Sequence, residues 1–120
     1  MRKSKPEKRL PAAFYRSETG NEPVREWLRG LSRADRVSIG RDIAVVEFSW
    51  PVGLPTCRSL GRGLWEVRTN LDGRIARALF CVHAGRMILL HGLIKKSQKL
   101  AKANLALAHD RKKKLEKQNG

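Results

Sequence analysis

The sequence has few acidic residues and no long hydrophobic run. Asp and Glu together number 11 against 26 Lys and Arg, which gives a formal net charge of +15. The longest apolar runs, such as residues 78–82 (ALFCV), fall far short of the roughly 20 residues that a membrane-spanning helix needs. The basic residues within 1–9 are not followed by the apolar stretch of a secretory signal. We therefore expect a soluble, cytoplasmic protein that does not contact a membrane.

Cysteine is also scarce. Cys57 and Cys81 lack CxxC spacing and flanking histidines, which argues against a disulfide framework and against a zinc site. We expect both to be free thiols and Cys81 to be a small core residue. The chain also lacks a nucleotide-binding glycine loop and a Ser or Cys nucleophile motif, which argues against metallo-nucleases, kinases and hydrolases. The sequence thus predicts no metal site and no cofactor.

What is present is a strongly basic chain with enough apolar residues for a core. Its 120 residues are 41% hydrophobic and predict a single domain over 1–120, since chains usually split only beyond roughly 250 residues. The basic excess is largest at the ends, with five basic and one acidic residue in 1–9 and nine and two in 94–120. We expect segments 1–8 and 113–120 to be frayed. The charge predicts a polyanionic partner, most simply nucleic acid.

Residue periodicity predicts the order β-α-α-β-β-β-α, an α+β domain with helices packed on one side of a small antiparallel sheet. Asn21 and Ser32 are candidate caps of two helices that end near Gly30 and Pro51. Proline and glycine in residues 51–63 indicate a loop. The remaining elements are a first strand at 9–16, a three-stranded meander at 64–69, 74–82 and 87–94, and a last helix at 98–115.

A hairpin within the meander brings charged residues together. Asp72-Gly73 is a strong turn signal, and a two-residue turn there pairs Arg68 with Arg77. Alternation along the strands places Glu66, Arg68 and Arg77 on one face, opposite the apolar face. Because like charges facing each other repel, we expect an anion between the arginines, either a bound phosphate or Glu66 in a structural network. We expect this pair at the protein surface.

More basic residues follow the last strand of the meander. Lys95, Lys96 and Lys99 lie at the strand end and the start of the final helix, next to the arginines, which suits phosphate binding. His91 has two alternative positions. A two-residue turn at 84–85 places it in the core, whereas a three-residue turn places it on the charged face.

Three segments in this order, 63–68 (GLWEVR), 74–80 (RIARALF) and 89–99 (LLHGLIKKSQK), resemble the phage-derived branch of the RelE/HigB-type toxins. The resemblance extends over most of residues 12–112 and includes the RelE-like order of elements. It implies the toxin of a type II toxin–antitoxin system, an mRNA endoribonuclease (mRNA interferase) that inhibits translation on the ribosome. It also implies a cognate antitoxin, often with a helix-turn-helix, besides the ribosome and mRNA as partners.

The resemblance also implies roles for the basic residues. Arg68, Arg77 and Lys96 fall where that family keeps its basic catalytic residues, whereas Glu66 stands where some relatives have a basic residue. We expect the arginines to stabilise charge developing on the phosphate, and the lysines to hold the RNA backbone and protonate the leaving oxygen. The general base is left open between Glu66, His91 and a lysine. The predicted site has catalytic residues Arg68, Arg77, Lys96, Glu66 and His91 and RNA-binding residues Arg74, Lys95 and Lys99.

Two other functions fit the same sequence features. The first is a toxin that inhibits DNA gyrase by protein contact, in the manner of ParE-type relatives, without nuclease activity. The second is a basic RNA-binding module that is not toxic. Both would retain the fold and the charge, so activity on mRNA distinguishes them from the endoribonuclease.

Overall fold

A computed structural model describes residues 7–96 and 99–118. It contains three helices and one five-stranded sheet, which confirms the α+β class. In chain order the elements are β1 (Ala12–Phe14), α1 (Pro23–Arg29), α2 (Arg33–Ser49), β2 (Cys57–Gly61), β3 (Leu64–Leu71), β4 (Arg74–His83), β5 (Arg86–Lys95) and α3 (Lys102–Gln118).

The strands lie in the order β1-β5-β4-β3-β2. β5, β4, β3 and β2 pair antiparallel with their neighbours, whereas β1 pairs parallel with β5, so the sheet is mixed. β2 lies in the stretch 51–63, which the sequence indicated as a loop. Two of the three glycines of that stretch instead form a tight turn between β2 and β3, where Gly61, Arg62 and Gly63 all have positive φ.

Helices cover both faces of the sheet, which differs from the predicted single side. α1 and α2 pack on the face that carries Val67, Ala78 and Phe80. α3 packs on the opposite face, against Leu79 and Leu90. The reason is that β4 has apolar residues at both odd and even positions, so each of its faces excludes water. We call the side contacted by α3 the α3 face.

Helix ends follow local capping chemistry. The Ser32 hydroxyl accepts a hydrogen bond from the Asp35 amide at 3.1 Å and caps α2, as predicted. The prediction for Asn21 is wrong: Glu22 is the N-cap residue of α1, and the Asn21 amide donates to the Ser17 hydroxyl.

The C-terminal helix is displaced from its predicted position. α3 begins at Lys102 rather than near residue 98, and it continues to Gln118. Its last turns pack against the sheet, because Leu115 is buried in the core beneath α3. This differs from the frayed segment expected at 113–120, of which residues 119 and 120 lie outside the described part, as do residues 1–6 of the expected N-terminal segment.

Candidate functional site

The charged residues of β3 and β4 meet on the α3 face as the hairpin signal predicted. Arg68 is paired directly with Arg77, and Glu66 with Leu79. On the other side of β3, Arg58 of β2 is the partner of Glu66. Side chains alternate along each strand, so all three arginines share one face with Glu66. We call Arg58, Arg68 and Arg77 around Glu66 the arginine cluster.

One carboxylate holds the arginine cluster together. Glu66 Oε2 accepts a hydrogen bond from Arg77 Nη1 at 2.9 Å, and Oε1 accepts one from Arg58 Nε at 3.1 Å. Arg68 Nε lies 3.8 Å from the same Oε1. Three guanidinium groups therefore share one negative charge, and the cluster keeps an excess of positive charge at neutral pH.

The cluster is layered from the interior to the surface. The side chains of Glu66 and Arg77 are 0% and 1% exposed, whereas Arg68 and Arg58 are 21% and 38% exposed. The expectation that both arginines of the hairpin lie at the surface is therefore wrong for Arg77. Its guanidinium is the buried partner of Glu66, because an unpaired charge at that depth would be costly.

The thiol beside the cluster is not a nucleophile. Cys57 precedes Arg58 in β2 and is fully buried. Burial and the negative charge of Glu66 raise the pKa of the Cys57 thiol to about 11. Burial also raises the pKa of Cys81 to about 11, in the core beneath α3. Both thiols are protonated at neutral pH and free, and Cys81 is a core residue as predicted.

A β-bulge places His91 on the α3 face. The turn between β4 and β5 has two residues, because His83 pairs with Arg86, and that register alone would direct His91 to the other face. The register shifts between Leu79 and Phe80, so that His91 pairs with Leu79 instead. His91 Nε2–H donates to Asn104 Oδ1 of α3 at 2.7 Å. Burial lowers the pKa of His91 below 6.5, the hydrogen bond to Asn104 partly opposes this shift, and the charge of Arg111 adds a smaller lowering.

The lysine segment lies where β5 ends. Lys95 is the last residue of β5 and pairs with Ile75, and Lys96 is exposed immediately after it. Lys99 is also exposed, and residues 97 and 98 between them lie outside the described part. Because α3 begins only at Lys102, these lysines precede the helix rather than occupy its first turn.

Arg74 is not part of this arrangement. It pairs with Leu71 and lies on the face covered by α1 and α2. Its two terminal nitrogens donate to the two carboxylate oxygens of Asp35 in α2, each at 3.1 Å. The structure therefore separates Arg74 from the other predicted RNA-binding residues, Lys95 and Lys99.

Within the described residues, no helix is long and apolar enough to cross a membrane, and no three His, Cys, Asp or Glu side chains are placed to share a metal ion. The family model described as "Phage derived protein Gp49-like (DUF891)" matches residues 26–113. The chain belongs to this Gp49-like family. The Gp49-like family is associated with the toxins of toxin–antitoxin systems. No curated protein matches the chain.

Three residues of the site were not predicted from the sequence, and all three lie within the part of the chain that the Gp49-like family model matches. They are Arg58, Asn104 and Arg111. Arg58 was assigned to a loop, although the Gly61-Arg62-Gly63 turn is a signal for a hairpin. Asn104 contacts His91, and Arg111 Nη1 donates to the Leu90 carbonyl at 2.7 Å, so both join α3 to the bulged strand. Neither contact can be predicted from the sequence, because the periodicity of a helix does not indicate which strand the helix packs against.

Proposed function

We propose that this Gp49-like protein is the toxin of a type II toxin–antitoxin system and cleaves mRNA on the ribosome without a metal ion. Family membership supports a toxin and a cognate antitoxin as partner. The observation that carries the nuclease proposal is the arginine cluster, in which one buried carboxylate orients three guanidinium groups. A preorganised positive site of this kind stabilises charge that develops on a phosphate.

The proposed reaction is attack by a ribose 2′-oxygen on the adjacent phosphorus. The 2′-hydroxyl loses its proton as the new P–O bond forms, and the bond to the 5′-oxygen breaks with protonation of that oxygen. The products are a 2′,3′-cyclic phosphate and a 5′-hydroxyl. Arg68, partly exposed, contacts the non-bridging oxygens, whereas buried Arg77 is a positioning residue that acts through Glu66.

Proton transfer is assigned to groups outside the cluster. Both oxygens of Glu66 already accept hydrogen bonds from guanidinium groups, which makes Glu66 a poor general base. We assign the base to His91, whose lowered pKa keeps the ring neutral at pH 7 and whose Nδ1 can accept a proton while Nε2–H is bound to Asn104. Lys96 donates the proton to the leaving oxygen, and Lys95 and Lys99 hold the RNA backbone.

The partners follow from the proposed reaction. The substrate is mRNA in the ribosome, so the protein acts in the cytoplasm. The net charge of +15 favours association with ribosomal RNA. The antitoxin, a protein often carrying a helix-turn-helix, covers the basic α3 face and so blocks access of RNA to Arg68.

The first prediction tests the activity with purified protein and translating ribosomes, by mapping the 5′ ends of the mRNA. We expect cuts at the ribosomal A site, and Arg68→Ala to lower the cleavage rate about 100-fold, as loss of one charge-stabilising donor does. Arg41→Ala is the matched control, because Arg41 is an exposed arginine of α2 on the other side of the sheet.

Two results would contradict the proposal. Intact mRNA together with loss of gyrase supercoiling would identify the inhibitor of DNA gyrase instead. Equal activity of the Arg68 and Arg41 variants would remove the arginine cluster from the mechanism.

A further inference from the structure

Arg58 is the residue of the arginine cluster that the proposed reaction leaves without a role. It lies on β2, which is an edge strand of the sheet, and its side chain is 38% exposed. Its Nε donates to Glu66 Oε1 at 3.1 Å. Among the described residues, no other hydrogen bond involves the Arg58 side chain, so its two terminal nitrogens are available to a ligand.

The contact with Glu66 orients this arginine for an anion. A guanidinium group presents five N–H donors in a rigid plane. With Nε turned toward the buried carboxylate, the edge formed by the two terminal nitrogens is directed away from it. That edge matches two oxygens of a phosphate, which is the geometry of the strongest arginine–phosphate contacts.

The spacing within the cluster suits consecutive phosphates of one RNA strand. Arg58 is directly opposite Glu66, and Arg68 is two residues further along β3, so Arg58 and Arg68 are diagonal neighbours. The Nε atoms of Arg58 and Arg68 lie 3.1 and 3.8 Å from the same oxygen, Glu66 Oε1, so these two nitrogens are at most about 7 Å apart. Two guanidinium groups this close can contact adjacent phosphates of a single strand. One carboxylate thus holds two partly exposed guanidinium groups close enough together to contact one RNA strand.

The positions across the sheet define a path for the RNA. Arg58 is on β2, Arg68 on β3, and Lys95 at the end of β5. Neighbouring strands lie about 4.8 Å apart, so β2 and β5 are separated by about 14 Å across the sheet. Lys95 pairs with Ile75, and Ile75 pairs with Asn70. Asn70 is four residues along β3 from Glu66, the partner of Arg58, which adds about 13 Å along the strands. The backbone positions of Arg58 and Lys95 are therefore about 20 Å apart, a span that accommodates the scissile phosphate and its neighbours.

We propose that Arg58 binds the phosphate next to the scissile one, so that it fixes the register of the mRNA over Arg68. The inference rests on the proposed nuclease function and deepens it. Arg58 is a substrate-positioning residue, since its phosphate is not the one that reacts. A contact of this type contributes to binding in the transition state as well as in the ground state.

The test compares variants on mRNAs that lack one backbone charge. Synthetic mRNAs carry a neutral methylphosphonate in place of the phosphate on the 5′ or on the 3′ side of the cut. Each is presented on the ribosome to the wild-type protein, Arg58→Ala, Arg58→Gln and the control Arg41→Ala. Arg58→Gln removes the positive charge but keeps a hydrogen-bond donor for Glu66. If Arg58→Ala weakens the fold, Arg58→Gln still reports on the contact with the phosphate.

We expect one of the two neutral linkages to slow cleavage by the wild-type protein roughly tenfold, the effect of losing one charge-assisted hydrogen bond. On natural mRNA the Arg58 variants should be slowed to the same extent. When an Arg58 variant acts on the mRNA with that same neutral linkage, its cleavage rate should fall no further. The substitution has already removed the contact between Arg58 and the phosphate, so removing the phosphate charge has nothing left to disrupt. Arg41→Ala should respond to both linkages as the wild-type protein does.

Each alternative result has a defined meaning. The role of Arg58 would be overturned if the variants cleaved natural mRNA at the wild-type rate. It would also be overturned if both neutral linkages slowed the Arg58 variants by the same factors as they slow the wild-type protein. Either result would leave the nuclease function intact. Wild-type protein that leaves every mRNA uncut would overturn the nuclease function and this inference with it.

Discussion

Glu66 and Arg77 illustrate how one face of a strand can carry both a buried and an exposed charge. Their side chains form a fully buried ion pair at 2.9 Å, while Arg68 and Arg58 reach solvent around the same carboxylate. Removal of one partner of a buried pair leaves the other charge without compensation. The stability of the sheet and the orientation of the exposed arginines therefore depend on the same residue.

The second prediction concerns this ion pair. Glu66→Gln should lower the free energy of unfolding by about 3–5 kcal/mol, because Arg77 then remains charged in the interior. Replacing Arg77 by methionine in the same chain should recover part of the loss, since the buried positive charge is then removed together with the carboxylate that balanced it. Urea unfolding measures both, with Glu26→Gln on the exposed surface of α1 as the control. A loss below about 0.5 kcal/mol for Glu66→Gln, the usual range of surface substitutions, would contradict this account.

The sequence predicted which residues of the cluster share a face but not how deep each one lies. Alternation and the Asp72-Gly73 turn are local signals, and they correctly paired Arg68 with Arg77. Depth depends on what covers the face, and the position of α3 is set by contacts far away in sequence. Arg58 was missed because glycines that belong to a tight turn have the composition of a loop.

Among the elements, β5 shows how one extra residue changes the face of a strand. The bulge beside Phe80 directs His91 toward α3, where it is bound to Asn104. No residue type marks a bulge of this kind, so sequence reasoning left two positions open. The correct turn length alone would have led to the wrong face.

The third prediction uses the buried position of His91. Because the folded protein has a lowered pKa for His91, the unfolded chain binds a proton more readily as the pH falls below 6.5. The contribution of His91 to the free energy of unfolding is thus complete above pH 6.5. It is lost as the pH falls toward the pKa that His91 has in the folded protein. We expect the free energy of unfolding to decrease over this window, by no more than about 1.4 kcal/mol per pH unit for one proton.

His91→Gln is the matching variant, since its amide can still bond to Asn104 but does not titrate. Its unfolding free energy, measured by urea denaturation at a series of pH values, should decrease less over the same window. His109 also has a lowered pKa, from burial and from nearby Arg62, so a residual slope is expected. Identical pH profiles for the variant and the wild-type protein would show that His91 does not contribute.

The fourth prediction concerns the contact between α1 and β5. A Cβ atom at Gly92 would lie 2.2 Å from the ring of Trp27, closer than any real contact. Gly92→Ala should therefore force the ring of Trp27 to move and cost about 1–3 kcal/mol. At Gly40, inside α2, a Cβ meets no atom within 4 Å, so Gly40→Ala should stabilise by roughly 0.5–1 kcal/mol. Thermal unfolding of the two variants should give shifts of opposite sign, and shifts of the same sign would contradict the close packing at Gly92.

At the scale of the whole molecule, the sequence predicted the class and the order of most elements but not the number of layers. The unbroken apolar run at 78–82 carried that information, because a strand covered on both faces does not alternate. The helix α3 fills the second layer with Ala108 and Leu115 against the sheet. Its lysine-rich composition gives little sign of this packing, because the buried residues form only a narrow stripe.

The parallel pairing of β1 with β5 has a consequence for how the molecule is made. Residues 12–14 must wait for residues 87–89 before they can enter the sheet, and such distant pairings form slowly. A nascent chain that stops before β5 leaves β4 with an open, apolar edge, the kind of surface on which chains aggregate or are degraded. Interrupted synthesis should therefore yield fragments that are cleared, rather than a partial protein with an assembled basic face.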